Sequence, residues 1–169
     1  AAGLGLGVAA VGGLVLAGWI GDSELLKRGL PGLASMKANT ALCFVLLGLA
    51  LQGLARERHT AAARAFCAAA AVLAGLTFLQ YLLGRDFGLD QLLFADSDPP
   101  YPGRMAPATA LSFLGAAAAL LLFDRDRPIA GQAAALLPGT LGLLGLLGYL
   151  FDADTLYRFG PYVSVAVHT

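Results

Sequence analysis

The chain has 169 residues, 58% apolar and 13% charged, with 22 glycines and a mean hydropathy of +0.73. Soluble domains carry about 25% charged residues, so this composition excludes that class. Eleven basic residues balance eleven acidic ones, which argues against nucleic acid recruited by net charge, and two cysteines exclude a disulfide-rich secreted scaffold.

A membrane-crossing helix needs roughly 20 mostly apolar residues. Five segments qualify in chain order: Ala1–Ile20, Ala38–Ala55, Ala62–Leu83, Ala106–Phe123 and Ile129–Phe151. A sixth apolar segment begins at Val163. Residue 1 is an alanine already inside an apolar run, so both ends are expected to be cut, and the first segment is too long for a signal peptide. The connections alternate in length. Arg56–Thr60 and Asp124–Pro128 are short, whereas Gly21–Lys37, Gly84–Met105 and Asp152–Ser164 are longer and rich in Asp, Pro, Gly and Tyr. Four basic residues crowd the two short turns and Arg64 follows at the start of the next span, against six spread over the long loops, so the positive-inside rule places the short turns in the cytoplasm.

Internal similarity refines this picture. Met36-Lys37-Ala38-Asn39-Thr40-Ala41-Leu42-Cys43-Phe44 aligns with Met105-Ala106-Pro107-Ala108-Thr109-Ala110-Leu111-Ser112-Phe113, 69 residues later. A degraded third copy begins at Val165-Ala166-Val167-His168-Thr169. An aromatic residue closes the helix upstream of each copy: Trp19, Tyr81 and Tyr149. The predicted fold is therefore all-α, a polytopic transmembrane bundle built from tandem helix–outer loop–helix repeats (about 1–55, 62–123 and 129–169) in one membrane domain. Short amphipathic helices are expected in the outer loops.

Few residues suggest chemistry. Asp86, Asp90, Asp96 and Asp98 share one loop but match no cation-loop spacing, so a solvated loop is expected, with Leu89, Leu92, Leu93 and Phe94 as a short interfacial helix. His59 and His168 fall at opposite faces, which disfavours a bis-histidine haem. Cys43 and Cys67 differ in depth by roughly 15 Å, beyond disulfide reach. No Cys, Ser or His has a paired base at a workable spacing, so no enzyme activity is expected. The spans hold only neutral polar groups at mid-depth, such as Gln52, Thr77 and Gln132, which disfavours a pump or carrier. Gly139, Gly142, Gly145 and Gly148 recur every third residue, and Gly3, Gly7, Gly12 and Gly13 crowd the first helix, as close helix packing requires. Pro138 is expected to kink the fifth span.

The stretch Met36–Phe44, the stretch Gly88–Phe94 and Pro102-Gly103-Arg104-Met105 resemble an N-terminal multi-helix membrane region of bacterial signalling proteins. In that family the region precedes PAS, histidine-kinase or diguanylate-cyclase modules. The resemblance implies a sensory input domain in the bacterial inner membrane, with the bilayer and a second copy or other membrane subunits as partners and no defined cofactor. The sequence departs from the family in having Ala108 where the first copy has Asn39, and in carrying no output module.

A ligand site at the outer helix ends would comprise Trp19, Met36, Asn39, Thr40, Gln80, Tyr81, Met105, Thr109, Tyr149 and His168. These residues combine apolar bodies with polar tips at one face, the usual make-up of a small-molecule site. The same residues also suit an ordinary interfacial aromatic belt. The alternative function is a structural accessory subunit of a larger membrane complex, respiratory or photosynthetic, docked through its glycine-rich faces.

Overall fold

The computed structural model describes residues 2–30, 33–56, 60–151, 153 and 165–166; the regular structure among these is helical, with no strand. The order is α1 (Ala2–Ile20), α2 (Glu24–Arg28), α3 (Ala38–Ala55), α4 (Thr60–Leu83), α5 (Pro107–Phe123) and α6 (Pro128–Leu150). The bounds follow the chemistry of the flanks. Proline at the first position starts both α5 and α6, where its missing N–H costs nothing and its fixed φ suits the helix. Charged turns stop α3 and α5 as the apolar runs end. Four helices, α1, α3, α4 and α6, are long and apolar enough to cross a membrane. The remaining expected span, Ala106–Phe123, is α5, which is apolar but has 17 residues. The start of a sixth at Val163 lies outside the described residues, apart from Val165 and Ala166.

Successive long helices are neighbours. α1 packs on α3, α3 on α4, α4 on α5 and α5 on α6, and α3 also touches α5. A central trio, α3–α4–α5, is thus flanked by α1 and α6, which do not touch each other among the described residues.

The packing inverts the soluble pattern. The interior of the trio is largely small: Cys43 and Ala50 of α3, Ala63, Cys67, Ala70 and Ala74 of α4, and Ala110 and Ala117 of α5 are buried. Large side chains such as Leu4, Leu14, Leu136, Leu143 and Leu146 face outward. Without a hydrophobic force between helices in lipid, close backbone approach supplies the contact energy, and small residues permit it. Both cysteines are free thiols.

Of the glycines singled out in the sequence, Gly12 of α1 makes this approach, against the Ala41 carbonyl of α3, whereas Gly139, Gly142 and Gly145 of α6 do not. A Cβ added to Gly48 would lie 2.5 Å from the Ala9 amide nitrogen, and one at Gly5 2.7 Å from the Gly48 carbonyl, so α1 and α3 touch backbone to backbone. Gly115 of α5 receives the Pro138 ring of α6 in the same way, at 2.9 Å. A Cβ on Gly3, Gly7, Gly13, Gly139, Gly142 or Gly145 would meet nothing within 4 Å. A three-residue spacing drifts around a helix of 3.6 residues per turn, so Gly139 to Gly148 do not form one face. Gly145 and Gly148 are buried while Gly139 and Gly142 are exposed. α6 runs unbroken through Pro138.

Candidate functional site

The two described long loops, 21–37 and 84–106, lie at one end of the bundle, called outer here. Their residues meet over the first turns of α3 and α5, and each helix start carries a buried cation.

At α3 the cation is Lys37, 5% exposed, in the N-cap position. A positive charge there opposes the helix dipole, so it needs anions nearby. Loop 84–106 supplies them. Lys37 Nζ donates to Asp96 at 2.6 Å, to Asp98 at 3.2 Å and to the Ser35 hydroxyl at 3.0 Å. Asp98 also accepts from both the Ser35 hydroxyl and Arg28. Asp96 accepts from the amides of Asp98 and Gly103. Burial works against ionising Asp96, but Lys37 and the two amides outweigh it and hold the carboxyl below its usual range. Asp98 is likewise held low, with Ser35, Lys37 and Arg28 overcoming burial.

At α5 the cation is Arg104, 5% exposed. Its Nε donates to Asp90 at 2.6 Å, and its Nη2 reaches the Gln80 carbonyl oxygen at 3.4 Å. Gln80 in turn donates to Asp90 at 3.0 Å and accepts from the Phe87 amide. The guanidinium stands 5.4 Å from the Tyr81 ring and 5.0 Å from the Tyr101 ring, within cation–π range. The backbone is shaped for this. Gly103 has φ +74°, a left-handed conformation that L side chains rarely adopt, and a Cβ there would collide with the Asp90 carbonyl.

Three aromatic side chains brace the same level. Trp19 Nε1 donates to the Met36 carbonyl at 3.0 Å, Tyr81 Oη to the Met105 carbonyl at 3.0 Å, and Tyr149 Oη to the Val165 carbonyl at 2.6 Å. Trp19 also carries Lys27 at 5.0 Å over its ring and Phe94 at 5.9 Å between centroids. The Asp22 and Glu24 carboxylates raise Lys27 above its ordinary value against the opposing effect of burial.

Two expectations for loop 84–106 need correction. It is not a solvated acidic loop: Asp90, Asp96 and Asp98 are all committed to buried or half-buried cations, and Asp86 alone of the four acids is exposed. Nor do Leu89–Phe94 form a helix. Gly88 takes φ +70°, and Phe94 is drawn onto Trp19 instead. The short outer helix is α2, in the other loop.

The candidate ligand residues do gather at the outer end. Met36, Asn39, Thr40, Gln80, Met105 and Thr109 are buried, while Trp19, Tyr81 and Tyr149 are half-buried. His168 lies outside the described residues. Most of them form the junction rather than line a void. Trp19 borders an outer hollow of about 410 Å³ with Arg28, Ser35 and Asp98, and Thr109 borders an apolar groove of about 370 Å³. Asn39 Oδ1 accepts the Thr40 amide at 2.9 Å, and its Nδ2 is the one buried side-chain polar atom without a partner among the described residues. Sequence reasoning missed Lys37, Arg104 and their carboxylates. The available signal was a basic residue beside each motif methionine, at a helix start where a cation requires an anion.

No family model matches the chain, and no curated protein or solved structure matches it either.

Proposed function

We propose that the chain is a membrane-embedded sensory input domain of a bacterial signalling protein, in the inner membrane with its long loops outside. One observation carries the reading. Carboxylates of an outer loop are bonded to a buried cation at the first turn of α3, 59 residues away in sequence, at 2.6 Å. A force or ligand acting on that loop is thereby applied to the end of a membrane helix. The two short turns join the opposite ends, so a displaced α3 moves its neighbours there. Input outside and readout inside is what such a domain requires.

The test uses spin labels at Arg56→Cys and Arg125→Cys, in the two inner turns, with Cys43 and Cys67 replaced by alanine. Asp96→Asn/Asp98→Asn releases the outer loop. The expected result is a shift of about 1–2 Å in the inner distance, the scale of helix shifts in switching proteins. An unchanged distance in a folded variant refutes the reading.

A second reading, an accessory subunit of a larger complex, is favoured by α6, which buries 11% of its span against 44% for α3. It predicts that Leu143→Trp, on the open face of α6, dissociates a native-membrane assembly. An unchanged assembly rejects it.

A further inference from the structure

The outer end of the bundle reverses the usual placing of charged and apolar groups. Lys27, Lys37, Asp90 and Arg104 are buried there. Leu25 and Leu30 of the first long loop and Leu92 of the second are 64%, 63% and 71% exposed, and Leu26, Phe87 and Leu93 are exposed in the same loops. A cap standing in water would carry its charges outside and its leucines within.

Both loops are held beside the helix ends rather than above them. After α1 the chain doubles back. The Ser23 amide donates to the Gly18 carbonyl at 2.8 Å, and a Cβ on Gly18 would lie 2.6 Å from the Leu26 Cβ. α2 therefore lies against the last turn of α1. Within its single turn Glu24 pairs with Lys27 and Arg28, three and four residues on, which leaves Leu25 and Leu26 on the other side. The second loop is tied to the same level by Phe94, whose ring centroid stands 5.9 Å from that of Trp19, one residue before α1 ends. Leu92 and Leu93 immediately precede that contact. Ile20 at the end of α1 and Leu82 and Leu83 at the end of α4 are exposed as well. They bring the outward apolar surface of two helices fit to cross a membrane up to the loops.

We infer that the outer cap is seated in the bilayer, with Leu25, Leu30 and Leu92 inserted at the boundary between headgroups and acyl chains of the leaflet on that side. Apolar faces lying in such a boundary sink about 5–10 Å into it. Asp22, Glu24, Arg85 and Asp86, exposed in the same loops, keep contact with water. Lipid is favoured over a protein partner because the leucines continue the surface of helix ends that themselves need lipid around them. This seating rests on the membrane placement of the helices alone, and it requires neither orientation of the chain nor a sensory role.

Nitroxide labels test it on the full chain with Cys43→Ala and Cys67→Ala, in vesicles of phosphatidylethanolamine and phosphatidylglycerol. Labels go at Leu25→Cys, Leu30→Cys and Leu92→Cys. Asp86→Cys is the aqueous reference, and Leu143→Cys, on the outward face of α6, is the lipid reference. All five positions are exposed, so the labels displace no packing. The expected result is ready contact with oxygen at the three leucine positions, as at Leu143, and contact with a water-soluble nickel chelate several-fold below that at Asp86. Leucine positions that meet nickel as freely as Asp86, while Leu143 stays protected, would put the cap in water and overturn the inference with the membrane placement intact. Shelter from both reagents would mean that protein covers the leucines, which equally refutes it. Free nickel contact at Leu143 would remove the membrane placement, and the seating with it.

Discussion

The starts of α3 and α5 face one problem, a buried cation at the positive end of a helix, and answer it differently. Arg104 is held locally. Its partners Gln80, Asp90, Tyr81 and Tyr101 all lie within 24 residues, and its planar fork bonds and stacks at once. Lys37 is held at a distance. Its carboxylates lie 59 and 61 residues away, and its compact ammonium reaches three oxygens without a fixed plane. The first junction closes α4 onto α5, while the second ties the loop between α4 and α5 to the start of α3. Two cations of equal charge therefore do separate jobs, one of shape and one of connection.

The comparison breaks most visibly at Arg104. Arg104→Leu strands Asp90, 5% exposed at its side chain, beside Gln80. Removing one member of a buried pair costs about 3–5 kcal/mol, to be read as lost resistance to unfolding in detergent. Arg104→Lys recovers only part, since one ammonium does not reproduce the fork and the two ring contacts; full recovery would show that charge alone matters there.

Lys37→Met costs less, about 3 kcal/mol, because Asp98 keeps Arg28 and Ser35 and is a third exposed. Lys37→Arg is expected to be worse tolerated than the charge suggests, and the reciprocal pattern at the two sites sharpens the distinction. Equal losses for Arg104→Lys and Lys37→Arg would erase it.

The aromatic braces come next. Trp19→Phe and Tyr81→Phe each remove one donor to a motif carbonyl, worth about 1 kcal/mol. Trp19→Phe should also loosen Phe94 and Lys27, visible as faster proteolysis of loop 84–106. A Tyr81→Phe variant that loosens that loop to the same degree contradicts the division of labour.

Acid has the smallest effect. The folded carboxyls of Asp96 and Asp98 lie below their ordinary values, so their contribution is complete above about pH 4 and is lost as pH falls through the lower folded values. Exchange protection of the outer loop is expected to be flat from pH 7 to about pH 5 and to decline only below about pH 4. A loss already centred near pH 6 would mean that other groups govern the loop.

How much of this was legible in the sequence follows the range of the forces involved. The helices were readable to within about two residues, because an apolar run bounded by Pro, Asp or Arg is a local signal and the bilayer length requirement is strict. The Met-x-x-x-Thr-Ala-Leu register was readable too, and it located Met36 and Met105 beside their aromatic donors. Asp90, Asp96 and Asp98 were not. The irregular spacing imitates a solvated loop because the meaning of Asp96 and Asp98 lies in Lys37 and Arg28, some 60 to 70 residues away, while Asp90 is committed to Arg104 and Gln80 across a turn that periodicity does not show. Leu89–Phe94 imitated an amphipathic helix for the same reason, its aromatic being destined for Trp19. Glycine periodicity misled where geometry decides: the glycine that α3 needs is the solitary Gly48.

The small interior has a mechanical consequence. Alanine has no side-chain torsion to reset, and the α4 stripe from Ala63 through Cys67, Ala70 and Ala74 presents a nearly smooth rail to α3 and α5. Bulky interdigitated cores resist sliding because each step needs a change of rotamer. On such a rail, resistance of α3 to axial displacement is expected to come from the few bulky contacts that remain, chiefly the edge-to-face pair of Phe44 and Phe113, rather than from rotamer changes along α4.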